Sequence, residues 1–152
     1  MGRAIADYWK TKKADRLRVF SPMFEEDEIP LTTLFRKYKA MPEIERKALD
    51  MATGKTLDMG AGSGCHSLVL QEKGIDVTAI DISPLSVQTM KERGVKSFQM
   101  QYKDTIGEPF DWLYIDADTL KENAAKNGYI AEIVAEGEHY DYLARITKMN
   151  ER

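Results

Sequence analysis

The sequence predicts an α/β fold, a mostly parallel sheet with an antiparallel edge, and three observations lead there. Between Lys55 and Gly94 short strands alternate with helices at the pace of a parallel βαβ unit. Behind the first of those strands, "TLDMGAGSGCHS" from Thr56 to Ser67 sets glycines at every second position. The chain closes on two alternating runs around Gly137, the pattern of an antiparallel hairpin.

Each element has its own local warrant. In "IPLTTLFRKYKAMPEIERKALDMATG", Leu31, Leu34, Phe35 and Tyr38 recur at three-to-four spacing, as do Ile44, Ala48 and Leu49. A break at Met41 and Pro42 and a glycine stop at Gly54 make these two amphipathic helices leaning on a core. "KTLDM" is a short strand, "CHSLVLQEKG" a helix ended by Gly74, and "DVTAI" the next strand. "SPLSVQTMKERG" is a helix with Ser83 as N-cap, Pro84 at its first position and Gly94 as its stop. Further on, "FDWLYI" reads as a strand, followed by a helix opened by a capping box of Thr119 with Glu122. The expected organisation is a single domain over 1–152, with a helical N-terminal lid at 1–54, a cofactor-binding βαβα unit at 55–97, and strands and a helix at 98–152.

Composition narrows the function. With 152 residues, 43% hydrophobic and 31% charged, the chain has enough apolar content for one sizeable core and no mark of disorder. A net charge of -3 argues against a general nucleic-acid or anionic-membrane surface. Lys10, Lys12, Lys13, Arg16 and Arg18 make the start locally basic, but Glu25, Glu26, Asp27 and Glu28 follow at once, and both runs read as solvated faces. The single cysteine, Cys65, excludes an internal disulfide, and "MGRAIADYWKTKK" lacks the apolar core of a signal peptide, so a cytoplasmic location is expected. No segment reaches the roughly 20 apolar residues of a membrane span. His66 and His139 beside one cysteine are too few for an all-protein zinc site, and no metal is expected.

The glycine loop has to be matched to a ligand. "ATGKT" lacks the earlier glycine of a phosphate-binding loop, because position 49 is Leu49. The glycines Gly60, Gly62 and Gly64 do not fit the dinucleotide spacing either, since Cys65 stands where the third glycine belongs. Asp58 decides the matter. Two positions before the first glycine, it repels a pyrophosphate and attracts an ammonium or sulfonium group. S-adenosylmethionine carries both, and its α-carboxylate suits the N–H groups of the following helix start. Asp81 ends the next strand about twenty residues on, where a carboxylate can accept from adjacent ribose hydroxyls. A strand-end aspartate before "ISP" is equally a good turn or cap residue; the two acids in register strengthen the ligand reading.

From Thr56 to Val95 the sequence closely resembles the cofactor half of class I S-adenosylmethionine-dependent methyltransferases. The resemblance implies a Rossmann-like three-layer sandwich. It also implies that Asp58, Gly60, Gly62 and Gly64 surround the methionine moiety, that Asp81 binds the ribose, and that Ile82 lies beside the adenine, with Ala61 and Ser83 also counted among the cofactor-binding residues. "DTLKENAAKNGYIAEIVAEGEHYDYLARITK" looks like the family's last helix and terminal strand pair, and the segment before Thr56 is similar in character to its lid. The departure is in the middle. Only "KSFQMQYKDTIGEPFDWLYID" lies between Val95 and the last helix, too little for the family's two further strand–helix units, so a sheet shorter than usual is expected. The family's adenine-reading acid has Asp104 as its nearest counterpart.

Two functions follow as expectations. The first is methyl transfer to a small-molecule acceptor, chiefly a matter of proximity and orientation. The second is a non-catalytic module holding S-adenosylmethionine or S-adenosylhomocysteine as a partner subunit. No catalytic base is assigned: "EGEHYDY" with His139 reads first as a polar hairpin turn, and Tyr8, Trp9, Phe35 and Tyr38 as core aromatics at helical spacing. The glycine-bearing strand would lack a neighbour on one side. Either "FDWLYI" or the hairpin moves in beside it, or a second copy covers the C-terminal surface of Phe110, Trp112, Tyr114, Ile130, Ile133 and Tyr142, giving a homodimer.

Overall fold

The structure is a computed structural model, and it describes residues 1–13, 16–19, 27–96, 98–100, 115–138 and 141–149. "FDWLYI" up to Tyr114, together with Asp104 and His139, lies outside the described residues. The chain forms two compact units, the first made of 1–41 and 49–104 and the second of 42–48 and 105–152.

In the first unit, α1 (Gly2–Thr11) ends where Lys12 turns into the left-handed region and donates its N–H to Tyr8 O. A short antiparallel pair follows, β1 (Leu17–Val19) with β2 (Asp27–Ile29), set so that Leu17 faces Ile29. The helix expected through Leu31 and Tyr38 is not one helix. It is two single 3-10 turns, Leu31–Phe35 and Tyr38–Ala40, separated by extended Arg36 and Lys37. The reason lies in the residues: Leu31 and Leu34 are three apart, the repeat of a 3-10 turn, and the β-branched pair Thr32 and Thr33 loses side-chain freedom in an α-helix. After Pro42 the α2 helix (Glu43–Met51), which belongs to the second unit up to Ala48 and to the first from Leu49, forms as expected, with Glu43 and Glu45 in its first turn where the helix dipole favours them.

The βαβα unit matches its sequence pattern closely. It runs β3 (Lys55–Met59), α3 (Cys65–Glu72), β4 (Asp76–Asp81), α4 (Pro84–Arg93) and β5 (Phe98–Met100), and the strands form a parallel sheet in the order β3-β4-β5. Leu57 pairs with Thr78, Asp58 with Ala79 and Met59 with Ile80. Ser83 caps α4 by accepting from Ser86 N, and Gly94 ends it at φ 91°. Val77 and Ala79 turn their side chains to the covered face, where one cluster gathers Met41, Leu49, Cys65, Val69, Leu70 and Val77. A second cluster of Ala61, Ala79, Val87, Met90 and Val95 sits directly under the glycine loop. On the other face of β3, Leu57 and Met59 are 55% and 72% exposed.

In the second unit, α5 (Ala117–Lys126) precedes the hairpin of β6 (Tyr129–Glu136) and β7 (Tyr142–Lys148). The N-cap of α5 is Asp116 rather than Thr119. Asp116 accepts from the N–H groups of Asp118 and Thr119 and from the Thr119 hydroxyl, so it already holds the Thr119 N–H that Glu122 would take in a capping box. The hairpin breaks register between Ile133 and Ala135, and the displaced Val134 carbonyl accepts from Lys47 Nζ at 2.9 Å. The parallel sheet and the antiparallel terminal pair expected from sequence are thus both present, each a sheet of its own among the described residues.

Candidate functional site

The sequence-predicted residues meet where β3 and β4 end side by side. Gly60 and Ala61 both donate their N–H to Ile80 O, at 2.9 and 3.0 Å, which carries the strand pairing one step past the strand and fixes where the loop departs. The loop then turns back on itself, Gly64 N donating to Ala61 O at 2.7 Å. Such a turn needs left-handed residues. Gly62 has φ 57° and Gly64 φ 79°, a region that costs a side-chain-bearing residue about 1–2 kcal/mol. Gly64 has a second reason to be glycine: a Cβ there would lie 2.8 Å from Val95 Cγ2 and 3.0 Å from Met90 Cγ. The loop is therefore pressed onto the helix-side core and presents backbone outward.

Asp58 faces the helix side, half-buried, and one of its oxygens accepts from the Ser67 hydroxyl at 2.5 Å. Ser67 is fully buried in the first turn of α3, so that bond locks the carboxylate direction. Asp81 is engaged on both oxygens. Oδ2 accepts from Gly62 N at 2.8 Å and Oδ1 from Ser83 N at 2.7 Å. The turn role and the ligand role that the sequence left open are therefore compatible: each carboxylate oxygen takes one backbone donor and keeps acceptor capacity for another. Ile82 is 86% exposed right beside it, an apolar surface next to an acid at a strand end.

Of the aromatic residues, Tyr8, Trp9 and Phe35 come together and Tyr38 does not. The Tyr8 and Phe35 rings are 4.8 Å apart, and the Trp9 and Phe35 rings lie parallel at 6.2 Å. Tyr38 instead gives its hydroxyl to Asp50, which also pairs with Lys73. The α1 helix reaches the loop through Ile5, whose Cδ1 is 3.7 Å from where a Gly62 Cβ would be. The α1 helix thus packs against the glycine loop.

Besides Ser67, two further residues of this neighbourhood escaped the sequence reading. Ser63, between two glycines, is 1% exposed and gives its hydroxyl to Leu34 O. Arg93 donates from Nη1 to Ser63 O at 2.7 Å and to Ser63 Oγ at 2.5 Å. Burial holds the Arg93 guanidinium below its ordinary pKa, with Cys65 acting partly against that shift. Ser63 had a faint signal, a small polar residue in a loop with no room for a larger one. Arg93 had none, since a basic residue in a last helical turn is ordinary. Among the described residues no cluster of three or more His, Cys, Asp and Glu is arranged to hold a metal ion, and no helix is long and apolar enough to cross a membrane.

Comparison with known proteins bears on the family. A family described as a methyltransferase domain matches residues 57–135, more than half of the chain. Among solved structures, an S-adenosylmethionine-dependent methyltransferase from Bacteroides fragilis, determined in complex with S-adenosyl-L-homocysteine, is 43% identical with a TM-score of 0.87. The match covers 98% of this chain and 94% of that one. No curated protein matches. A family match over more than half of the chain and a solved relative of this identity along nearly the whole chain show the family: the chain belongs to the S-adenosylmethionine-dependent methyltransferases.

Proposed function

We propose that the glycine loop and the end of β4 hold S-adenosylmethionine, and that the protein transfers its methyl group to a small-molecule acceptor, releasing S-adenosylhomocysteine. The observation that carries this is the pair of carboxylates at adjacent parallel strand ends, Asp58 locked by Ser67 and Asp81 spanning Gly62 and Ser83. The residues present fit the cofactor. Asp58 offers negative charge where a pyrophosphate would be repelled and an ammonium or sulfonium attracted. Gly60, Ala61, Gly62 and Gly64 bring backbone rather than side chains to the methionine moiety. Asp81 keeps acceptor capacity on both oxygens for ribose hydroxyls, and exposed Ile82, with Ser83 next to it, gives the adenine an apolar face.

The bound cofactor supplies an activated methyl group on a positive sulfur. The chain's part is to bind, orient and hold charge: Asp58 favours the cationic reactant over its neutral product, and the rigid loop fixes the direction of attack. Incubation with methyl-labelled S-adenosylmethionine and a pool of small metabolites tests the reading. Label passing to a low-mass product supports it; cofactor binding without any transfer would favour the non-catalytic module.

Two finer statements belong to the same proposal. A cytoplasmic location accords with the single cysteine of the sequence. Homodimerisation through the C-terminal hairpin is supported by Tyr129 and Ile146, which share a face and are 41% and 52% exposed, with Ile130 54% exposed on the other face. A mass near 17.3 kDa by light scattering would show a monomer instead.

A further inference from the structure

We propose that Arg93 is a positioning residue that latches the aromatic N-terminal segment onto the glycine loop, so that seating the lid and shaping the cofactor loop are one event. This rests on the cofactor site placed at that loop above. Three pieces distant in sequence meet on one side chain. From the last turn of α4, Arg93 Nη1 reaches both the carbonyl and the hydroxyl of Ser63 in the loop. Its guanidinium carbon lies 4.8 Å from the Phe35 ring centre and 5.9 Å from that of Trp9. Ser63 in turn donates to Leu34, the neighbour of Phe35 in the 3-10 turn.

The chemistry suits a latch better than a surface ion pair. A guanidinium is planar, so it can stack on an aromatic face and donate from its edge at once, which an ammonium cannot. Ser63 is buried, and water does not readily replace Arg93 there. Ser63 stands between Gly62, whose N–H is held by Asp81, and Gly64, which is pressed on Val95 and Met90. A displacement of Phe35 or Trp9 is therefore felt at the residue flanked by Gly62 and Gly64 of the cofactor loop. Coupling of this kind is reciprocal: if the seated lid improves cofactor binding, bound cofactor steadies the lid by the same factor.

The test uses the full chain with Trp112→Phe, which leaves Trp9 as the one tryptophan. Acrylamide quenching of Trp9 fluorescence reads the lid without ligand, and calorimetry with S-adenosylhomocysteine reads the loop. Arg93→Met is expected to raise the quenching constant at least twofold and the dissociation constant about tenfold, the usual consequence of losing a charge-assisted hydrogen bond. Phe35→Ala is expected to do the same, and the double variant to bind no worse than about tenfold, because either change opens the same latch. If Arg93→Met does not fold, Ser63→Ala removes the two hydroxyl contacts, to Arg93 and to Leu34 O, leaves the Arg93 bond to the Ser63 carbonyl, and shifts both readouts the same way by about threefold. Unchanged Trp9 quenching, or losses that multiply to about a hundredfold in the double variant, would overturn the latch. Absence of S-adenosylhomocysteine binding in the parent protein would instead remove the cofactor assignment, and the quenching comparison would still decide the latch.

Discussion

Replacing Asp81 by alanine does two things at once in this structure. The side chain accepts two backbone N–H groups, from Gly62 at 2.8 Å and Ser83 at 2.7 Å. A hydrogen bond to a charged group is worth about 1.5–3 kcal/mol net. Both sites are half-buried and water can partly re-solvate the freed donors, so the lower figure applies and Asp81→Ala is expected to cost about 3 kcal/mol. For a chain of this size that is a fall in Tm of roughly 6–12 °C, read by scanning calorimetry. Loss of the ribose contact and of the loop anchor should also weaken S-adenosylhomocysteine by tenfold or more. Asp81→Asn keeps one acceptor oxygen, but its amide hydrogens face the second backbone donor, so about half the stability loss is expected. A melting temperature within 1 °C of the parent, as a rough measurement limit, would refute the anchoring role; an unchanged dissociation constant would refute the ribose role.

Asp58→Asn should weaken S-adenosylmethionine more than S-adenosylhomocysteine, by about 1 kcal/mol, since only the former has a positive sulfur to lose attraction; equal losses in calorimetry would contradict that. Gly64→Ala combines a left-handed backbone with contacts as short as 2.8 Å, so a loss of about 2–4 kcal/mol in urea unfolding is expected, and a neutral effect would show that the loop can move off Val95. Asp116 has its carboxyl pKa held below the ordinary 3.8, chiefly by hydrogen bonds from the Thr119 side chain and backbone. Its stabilisation of α5 is therefore fully present above the ordinary carboxylate pKa and is lost as pH falls through the lowered one. Helix signal by circular dichroism should decline less steeply over that acid range in Asp116→Asn, and identical acid profiles would remove Asp116 as the cap.

The fold was most legible where local chemistry and packing agree. Ser83, Pro84 and Gly94 bracket α4 at the positions their side chains dictate, and the alternation in "KTLDM" and "DVTAID" reappears as strand faces. The 3-10 turns were not legible, because Leu31, Leu34 and Tyr38 satisfy helical spacing while extended Arg36 and Lys37 interrupt it without a glycine or proline to announce the break. Thr119 with Glu122 looked like a capping box, yet Asp116 three residues earlier takes the same amide. In the site, Asp58, the glycines and Asp81 were readable because their spacing follows from strand and turn geometry. Ser63, Ser67 and Arg93 were not, because their importance comes from what tertiary packing brings to them.

A crystal structure of this protein with S-adenosylhomocysteine shows whether the ends of β3 and β4 hold the cofactor. Ribose hydroxyls are expected within about 2.6–3.2 Å of Asp81 oxygens, the amino group of the ligand on the Asp58 side of the loop, the adenine against Ile82, and the Gly62 and Ser83 bonds to Asp81 retained. A ligand bound away from the ends of β3 and β4, or an Asp81 that makes only its two backbone bonds while the ribose lies elsewhere, would contradict that placement.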